Sequence, residues 1–346
     1  MRWSVLGICL AALLPGCLTD EETPEEREAS FYTNNAQAYI DGGHYERALQ
    51  QFDRALEIDE DNQLALVGRA WTYVMLGEAQ ILRGVKAGAE NIQLALAEFE
   101  ELEGDDFGPA SYKIDLGYGK AHLLMAELYE RRADLLRSAV ERRPDPQKEA
   151  ARSAADESRL EHYREATTYL ARVLEAKDNP LAKDDLTALL LMARINVGRQ
   201  DYAGALIYTE RYLEQVRRSK SLWLDAIRKY PSDEKLYEAK LAGAVAKEVP
   251  ARYLISSALF KLGRVENAET ELNEVLLLDP FVAGAWLDRG IVREQLGKNE
   301  EAIRDYREFL THAARLGLTE DDPRVVEAAA RIANLTTRPP ERTDAR

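Results

Sequence analysis

Cysteine is nearly absent from this chain. Its 346 residues hold two, Cys9 and Cys17, both before residue 18, so nothing downstream can form a disulfide or a thiolate metal site. Histidine is almost as scarce. His44, His122, His162 and His312 are scattered with no H-E-x-x-H spacing to seat a zinc ion, and each reads as a surface or helix-packing residue. No G-x-S-x-G nucleophile elbow occurs. Gly117-Tyr118-Gly119-Lys120-Ala121 ends like a phosphate loop, but Ile114 takes the place of the first glycine and Ala121 that of the serine or threonine that would meet magnesium. The acidic run Glu98, Glu100, Glu101, Glu103, Asp105, Asp106 reads as a solvated helix end and loop rather than a calcium site. The expectation is a chain that is not an enzyme and needs no cofactor or metal.

Positive charge is in deficit as well. Lys and Arg number 46 against 61 Asp and Glu, a formal charge of -15. Removing residues 1–16 takes away only Arg2, giving -15 - 1 = -16. A field of that sign repels phosphate backbones, and basic clusters such as Arg217, Arg218 and Lys220 are short, so a nucleic-acid partner is not expected. Long hydrophobic runs are missing too. The apolar stretch from Val5 to Leu14 is about half of the roughly 20 residues that cross a bilayer as a helix.

What is present begins with that stretch. Arg2, the apolar segment and the Pro15-Gly16 break have the form of a secretory signal over residues 1–16. Leu14-Pro15-Gly16-Cys17 resembles a bacterial lipobox, with Pro15 departing from the usual small residue at its position. The resemblance implies a diacylglyceryl thioether on Cys17. It implies outer-membrane sorting, periplasmic side, because Leu18 stands where an aspartate would signal inner-membrane retention. The alternative is an ordinary cleaved signal with an incidental cysteine. Residues 17–30, with six acids from Asp20 to Glu28 against Arg27 alone, read as a flexible, charge-extended tether.

The body of the chain repeats. Windows 29–62, 249–282 and 283–316 are each 34 residues long and place the same residue types at the same offsets. Small residues fall at Ala36, Ser256 and Gly290, glycines at Gly43, Gly263 and Gly297, alanines at Ala48, Ala268 and Ala302. Phe52, Leu272 and Tyr306 follow four positions later, then Ala55, Val275 and Phe309. Small residues let two helices approach, the glycine permits a tight turn between them, and the large residue fills the space against the next pair.

This pattern resembles the tetratricopeptide repeat, with Trp286 and Gly290 at its Trp and Gly positions and Pro280 at the exit of a helix pair. The resemblance implies an all-α, right-handed helical solenoid over residues 29–335. Residues 63–248 hold degenerate or extended repeats. A weak fourth repeat lies at 185–216, and residues 63–103 start like a repeat, with a long connection before their second helix. Two long amphipathic patterns, Tyr112 to Arg143 and Asp145 to Lys177, are split by Pro144-Asp145-Pro146 and predict a projecting helical hairpin. Residues near 218–247 predict a second extended pair. A capping helix is expected from Pro323 to Leu335, followed by a disordered tail over 336–346.

By carry-over from the repeat, the concave groove is lined by Thr33, Gln37 and Ile40 in the first window, by Tyr253, Ser257, Phe260 and Lys261 in the second clear one, and by Leu287, Ile291 and Glu294 in the last. Tyr253, Phe260 and Ile291 form an apolar patch fit to grip a helix or extended peptide. The competing reading is that these side chains pack against the capping helix. Thr33 and Gln37 replace the Lys and Asn with which one subgroup of the family clamps a terminal carboxylate, so that partner is not supported. The implied function is a periplasm-facing, membrane-anchored scaffold for protein partners in envelope assembly. The alternative is a solute-binding accessory lipoprotein of a periplasmic transporter, recognisable by an inner surface closed around a buried polar pocket.

Overall fold

The computed structural model describes residues 23–104, 111–176 and 185–337. The signal segment, Cys17, Asp105, Asp106 and the tail from residue 338 lie outside the described residues. The described chain is helical throughout, with no strand among the described residues, and divides into two compact units, Met1–Leu191 and Met192–Arg346. No described helix is long and apolar enough to cross a membrane.

The first unit holds α1 (Pro24–Asp41), α2 (Tyr45–Ile58), α3 (Gln63–Leu82), α4 (Ala87–Glu101), α5 (Ser111–Arg142) and α6 (Pro146–Glu175), and α7 (Leu186–Gly198) spans the boundary. Helix α1 begins inside the segment read as a tether. The Thr23 hydroxyl accepts from the Glu26 amide, the Glu26 carboxylate accepts from the Thr23 amide, and Pro24 opens the first turn. That capping box makes Pro24–Ser30 helix, and Ala29 on it is fully buried.

Helices α1 and α2 meet where small residues were expected. Ala36, Ala48 and Ala55 have no exposed surface and Phe52 almost none. Gly43, with φ +73°, closes the turn: its amide donates to Ile40 O at 2.9 Å and the His44 amide to Tyr39 O at 2.8 Å. This is the left-handed helix stop that favours glycine, although Gln200, with φ +63°, makes the same stop at the end of α7. In the second unit Gly263 and Gly297 repeat it, with φ of 74° and 75°.

Residues 63–82 form one long helix, so the extra length that looked like a connection is helical, and only Arg83–Lys86 separate α3 from α4. Aromatic rings lodge against bare backbone along this stack. The Phe52 ring sits where a Cβ on Gly68 would come within 2.5 Å of it, and the Phe99 ring stands in the same relation to Gly117 at 2.3 Å. The long pair α5 and α6 runs 32 and 30 residues, turning at Pro144, with Asp145 capping α6 through the Gln147 amide.

The second unit holds α8 (Tyr202–Lys229), a single 3-10 turn at Pro231–Asp233, α9 (Glu234–Ala246), α10 (Glu248–Lys261), α11 (Val265–Leu278), α12 (Ala283–Gln295), α13 (Asn299–Arg315) and α14 (Pro323–Thr337). The extended pair near 218–247 is present, but its first member is not a separate helix. It is the distal half of α8, continuous with the weak repeat. Ser256, Ala268 and Ala302 are buried at the helix crossings, and Tyr306 has no exposed surface. Thr336 and Thr337, read as tail, complete α14, their hydroxyls donating to Ile332 O and Ala333 O.

Candidate protein-binding surface

In the first unit the first helices of successive pairs, α1, α3 and α5, leave a small, largely enclosed crevice of about 20 Å³ between them. Gln37 and Ile40 from α1 line it, with Val67, Gly68, Trp71 and Met75 from α3 and Lys113 from α5. Its walls are apolar and ordered: the Trp71 indole Nε1–H donates to the Lys113 backbone carbonyl at 3.0 Å, and its ring stands edge-on to Phe99. Gln37 donates through Nε2 to Asp41 at 3.0 Å, while its Oε1 has no hydrogen-bond partner among the described residues. Thr33 is half-buried, its hydroxyl donating to Ala29 O on its own helix. Gln37 and Ile40, two of the three groove residues expected in the first window, both line this crevice, and the offsets extend further. Val67 and Trp71 lie 34 residues after Thr33 and Gln37, so the same offset that marked the first window marks them.

The second-unit residues are differently employed. Leu287 is buried in a cluster with Tyr306, Phe309, Ala328 and Leu335, against which Ile291 and Ile332 pack. Glu294 accepts from the Tyr306 hydroxyl at 2.8 Å and from Arg331 Nη1 at 2.9 Å. Since Ala328, Arg331, Ile332 and Leu335 belong to α14, the capping helix occupies Leu287, Ile291 and Glu294. For these three the packing alternative holds, and they are not an open groove. The Tyr253 hydroxyl donates to Asp288 Oδ2 at 2.5 Å and fits because Gly284 has no Cβ to meet it. Burial pushes the Asp288 carboxyl above its ordinary range, and burial together with that carboxylate pushes the Tyr253 phenol up. Phe260 packs, partly buried, against the cluster of Leu259, Leu272 and Val275. Ser257 is half-buried and Lys261 exposed.

One titratable cluster was not foreseen. His122 on α5 and His162 on α6 face each other, Nδ1 to Nδ1, at 2.8 Å. Tyr118 and Tyr169 flank the first ring, and Tyr129 stacks on the second. Burial, with His162 alongside, pulls His122 down to about 4, and burial lowers His162 against the opposing pull of Glu161 and Glu165. An unfolded His122 takes up its proton near 6.5, a folded one only near 4, so stability is full above the higher value and is lost as pH falls toward the lower. Urea unfolding should therefore cost about 2 kcal/mol less at pH 5 than at pH 7 on this account. His122→Phe should remove that share of the difference, and an unchanged pH dependence in the variant would refute the assignment. The acidic run is likewise engaged in pairing: Glu98 meets Arg69 at 2.9 Å, and Glu103 accepts from Tyr169 and from Arg172, each at 3.0 Å. Among the described residues no group of three or more His, Cys, Asp or Glu converges as a metal site would.

The tetratricopeptide repeat pattern matches residues 29–62 and again residues 253–316. Residues 29–62 and 253–316 are tetratricopeptide repeats. No curated protein sequence matches the chain. Among solved structures it is similar to PilW, described as a widely conserved type IV pilus biogenesis factor, at 16% identity over 87% of this chain and 98% of that one, with a TM-score of 0.49. It is similar to a tetratricopeptide repeat protein of Parabacteroides merdae at 13% identity, over 89% and 100% of the two chains, with a TM-score of 0.39. It is similar to the TPR2AB domain of yeast Sti1 in its complex with pHSP90, at 14% identity over 89% and 98% of the two chains, with a TM-score of 0.30. Helix pairs of this repeat fold support a scaffold for protein–protein interaction.

Proposed function

We propose that the chain is a membrane-anchored scaffold that holds protein partners on the periplasmic side of a bacterial outer membrane during envelope assembly. The observation that carries the reading is the small apolar pocket between α1, α3 and α5, furnished with one amide at Gln37. Such a surface suits an apolar side chain of a helix or extended peptide better than a small polar solute, which needs several convergent polar groups around it. The anchor rests on Leu14-Pro15-Gly16-Cys17, and the acidic composition agrees with a protein partner in place of a nucleic acid.

The test is affinity capture from detergent-solubilised envelopes with the wild type, Ile40→Glu and Cys17→Ala, each also labelled with palmitate. The wild type should retain partners that Ile40→Glu loses by about tenfold or more, since a carboxylate placed in an apolar crevice opposes docking by several kcal/mol. Cys17→Ala should lose the label and keep the partners when solubilised. Identical partner recovery with Ile40→Glu would sink the crevice, and equal labelling of Cys17→Ala would sink the anchor.

A further inference from the structure

The distal half of α8 and the whole of α9 form an arm with almost no core of its own. From Arg217 to Gly243 no residue is buried, although the stretch includes Leu222, Trp223, Leu224, Ile227, Tyr230, Leu236, Tyr237 and Leu241. Its two helices touch through aromatic rings: Trp223 stacks on Tyr237 at 6.2 Å, and Tyr230 lies at the same distance from Tyr237. The charge of this arm is opposite to that of the chain. Residues 217–247 carry eight Lys and Arg against four Asp and Glu, a net of +4, which leaves -15 - 4 = -19 for the remainder.

Helical spacing puts four of the eight basic residues on one side. With Trp223 and Tyr237 directed at the seam, Arg218, Leu222 and Lys229 on α8 and Leu236, Lys240 and Gly243 on α9, with Lys247 at its C-cap, fall on the same flank of the antiparallel pair. The contacts agree. Lys240 Nζ lies 4.7 Å above the Trp223 ring and Lys229 Nζ 5.4 Å from the Tyr230 ring. Leu222 and Leu236 are 59% and 55% exposed, and a Cβ on Gly243 would meet nothing within 4 Å. Leucines that reach outward from a flat face, aromatic rings beneath them and lysines able to lift their ammonium groups around them are what a helix in the headgroup layer of a bilayer requires.

We propose that this flank of the α8–α9 arm docks on an anionic lipid surface. Leu222 and Leu236 enter the acyl boundary, Lys229, Lys240 and Lys247 meet phosphate oxygens, Arg218 stays paired with Glu214 at 3.1 Å, and Trp223 and Tyr230 sit at headgroup depth. The same surface repels the acidic remainder, so the charge distribution orients the chain arm-first. This contact is separate from any lipid on Cys17 and from the protein-binding crevice.

Vesicle flotation with the full chain tests it, using phosphatidylcholine alone and phosphatidylcholine with roughly 30% phosphatidylglycerol, near the anionic content that gives a cytoplasmic-type surface potential. The wild type should partition about tenfold more strongly onto the anionic vesicles, and the preference should fade at high salt. Lys229→Glu/Lys240→Glu and Leu222→Ser/Leu236→Ser alter exposed positions and should each lose about tenfold. Residues 5–14 are identical in every variant, so the differences report the arm. Variants that float as well as the wild type, or a wild type indifferent to lipid charge, would overturn the proposal. So would an arm that captures an acidic protein while ignoring vesicles.

Discussion

Replacing Asp305 with alanine should destabilise the second unit by about 3–5 kcal/mol, the cost of leaving charges buried without their partner. Asp305 is 2% exposed on α13 and accepts from Arg289 twice, at 2.7 and 3.0 Å, and from Arg293 at 2.9 Å. Both arginines project from α12 and are themselves largely covered. They also reach α11: Arg293 meets Glu269 at 3.0 Å, and Arg289 meets Asn273 at 2.9 Å. One carboxylate thus ties three consecutive helices. Asp305→Asn keeps one acceptor but cannot receive both arms of Arg289, so it should fall between the wild type and Asp305→Ala. Urea midpoints decide the matter, and a loss under about 1 kcal/mol for Asp305→Ala would mean the network is surface ornament.

The second large effect belongs to Phe52. Its ring is 1% exposed and fills the space that Gly68 leaves on the following pair. Phe52→Ala should cost about 3–5 kcal/mol through lost burial and the cavity left behind. Gly68→Ala should cost about 1–3 kcal/mol for the opposite reason, because its Cβ would come within 2.5 Å of the ring. The usual gain of alanine over glycine in a helix, about 1 kcal/mol, does not offset a clash of that size.

The repeat was legible where geometry is local or recurs at a fixed offset. Gly43, Gly263 and Gly297 could be placed because a left-handed stop favours glycine, and Ala48, Ala268 and Ala302 because close crossings exclude bulk; Gln200 makes the same stop after α7 without that mark. Pro144 and Pro146 marked the hairpin turn. The start of α1 was missed although its signal was present: Thr23-Pro24-Glu25-Glu26 is a capping box concealed by an acidic stretch that looked like a tether. Trp71 and Val67 could have been found by carrying the groove offsets one window on. The fate of Leu287, Ile291 and Glu294 could not be read in that way, because the sequence located α14 without saying which face of α12 it covers. His122 and His162 stand about equally far from the Pro144 turn, so their meeting follows from hairpin register rather than from any spacing motif.

In the first unit successive helix pairs stack because a large ring on one enters a space kept open by a glycine on the next, Phe52 against Gly68 and Phe99 against Gly117, whereas Tyr306 fills the space at Gly290 of its own pair. A double-mutant cycle on Phe52→Leu and Gly68→Ala measures the first of these contacts alone. With the shorter side chain in place, Gly68→Ala should lose most of its cost, giving a coupling on the order of 1–2 kcal/mol. Strictly additive effects at these two positions would contradict the stacking of the first two pairs.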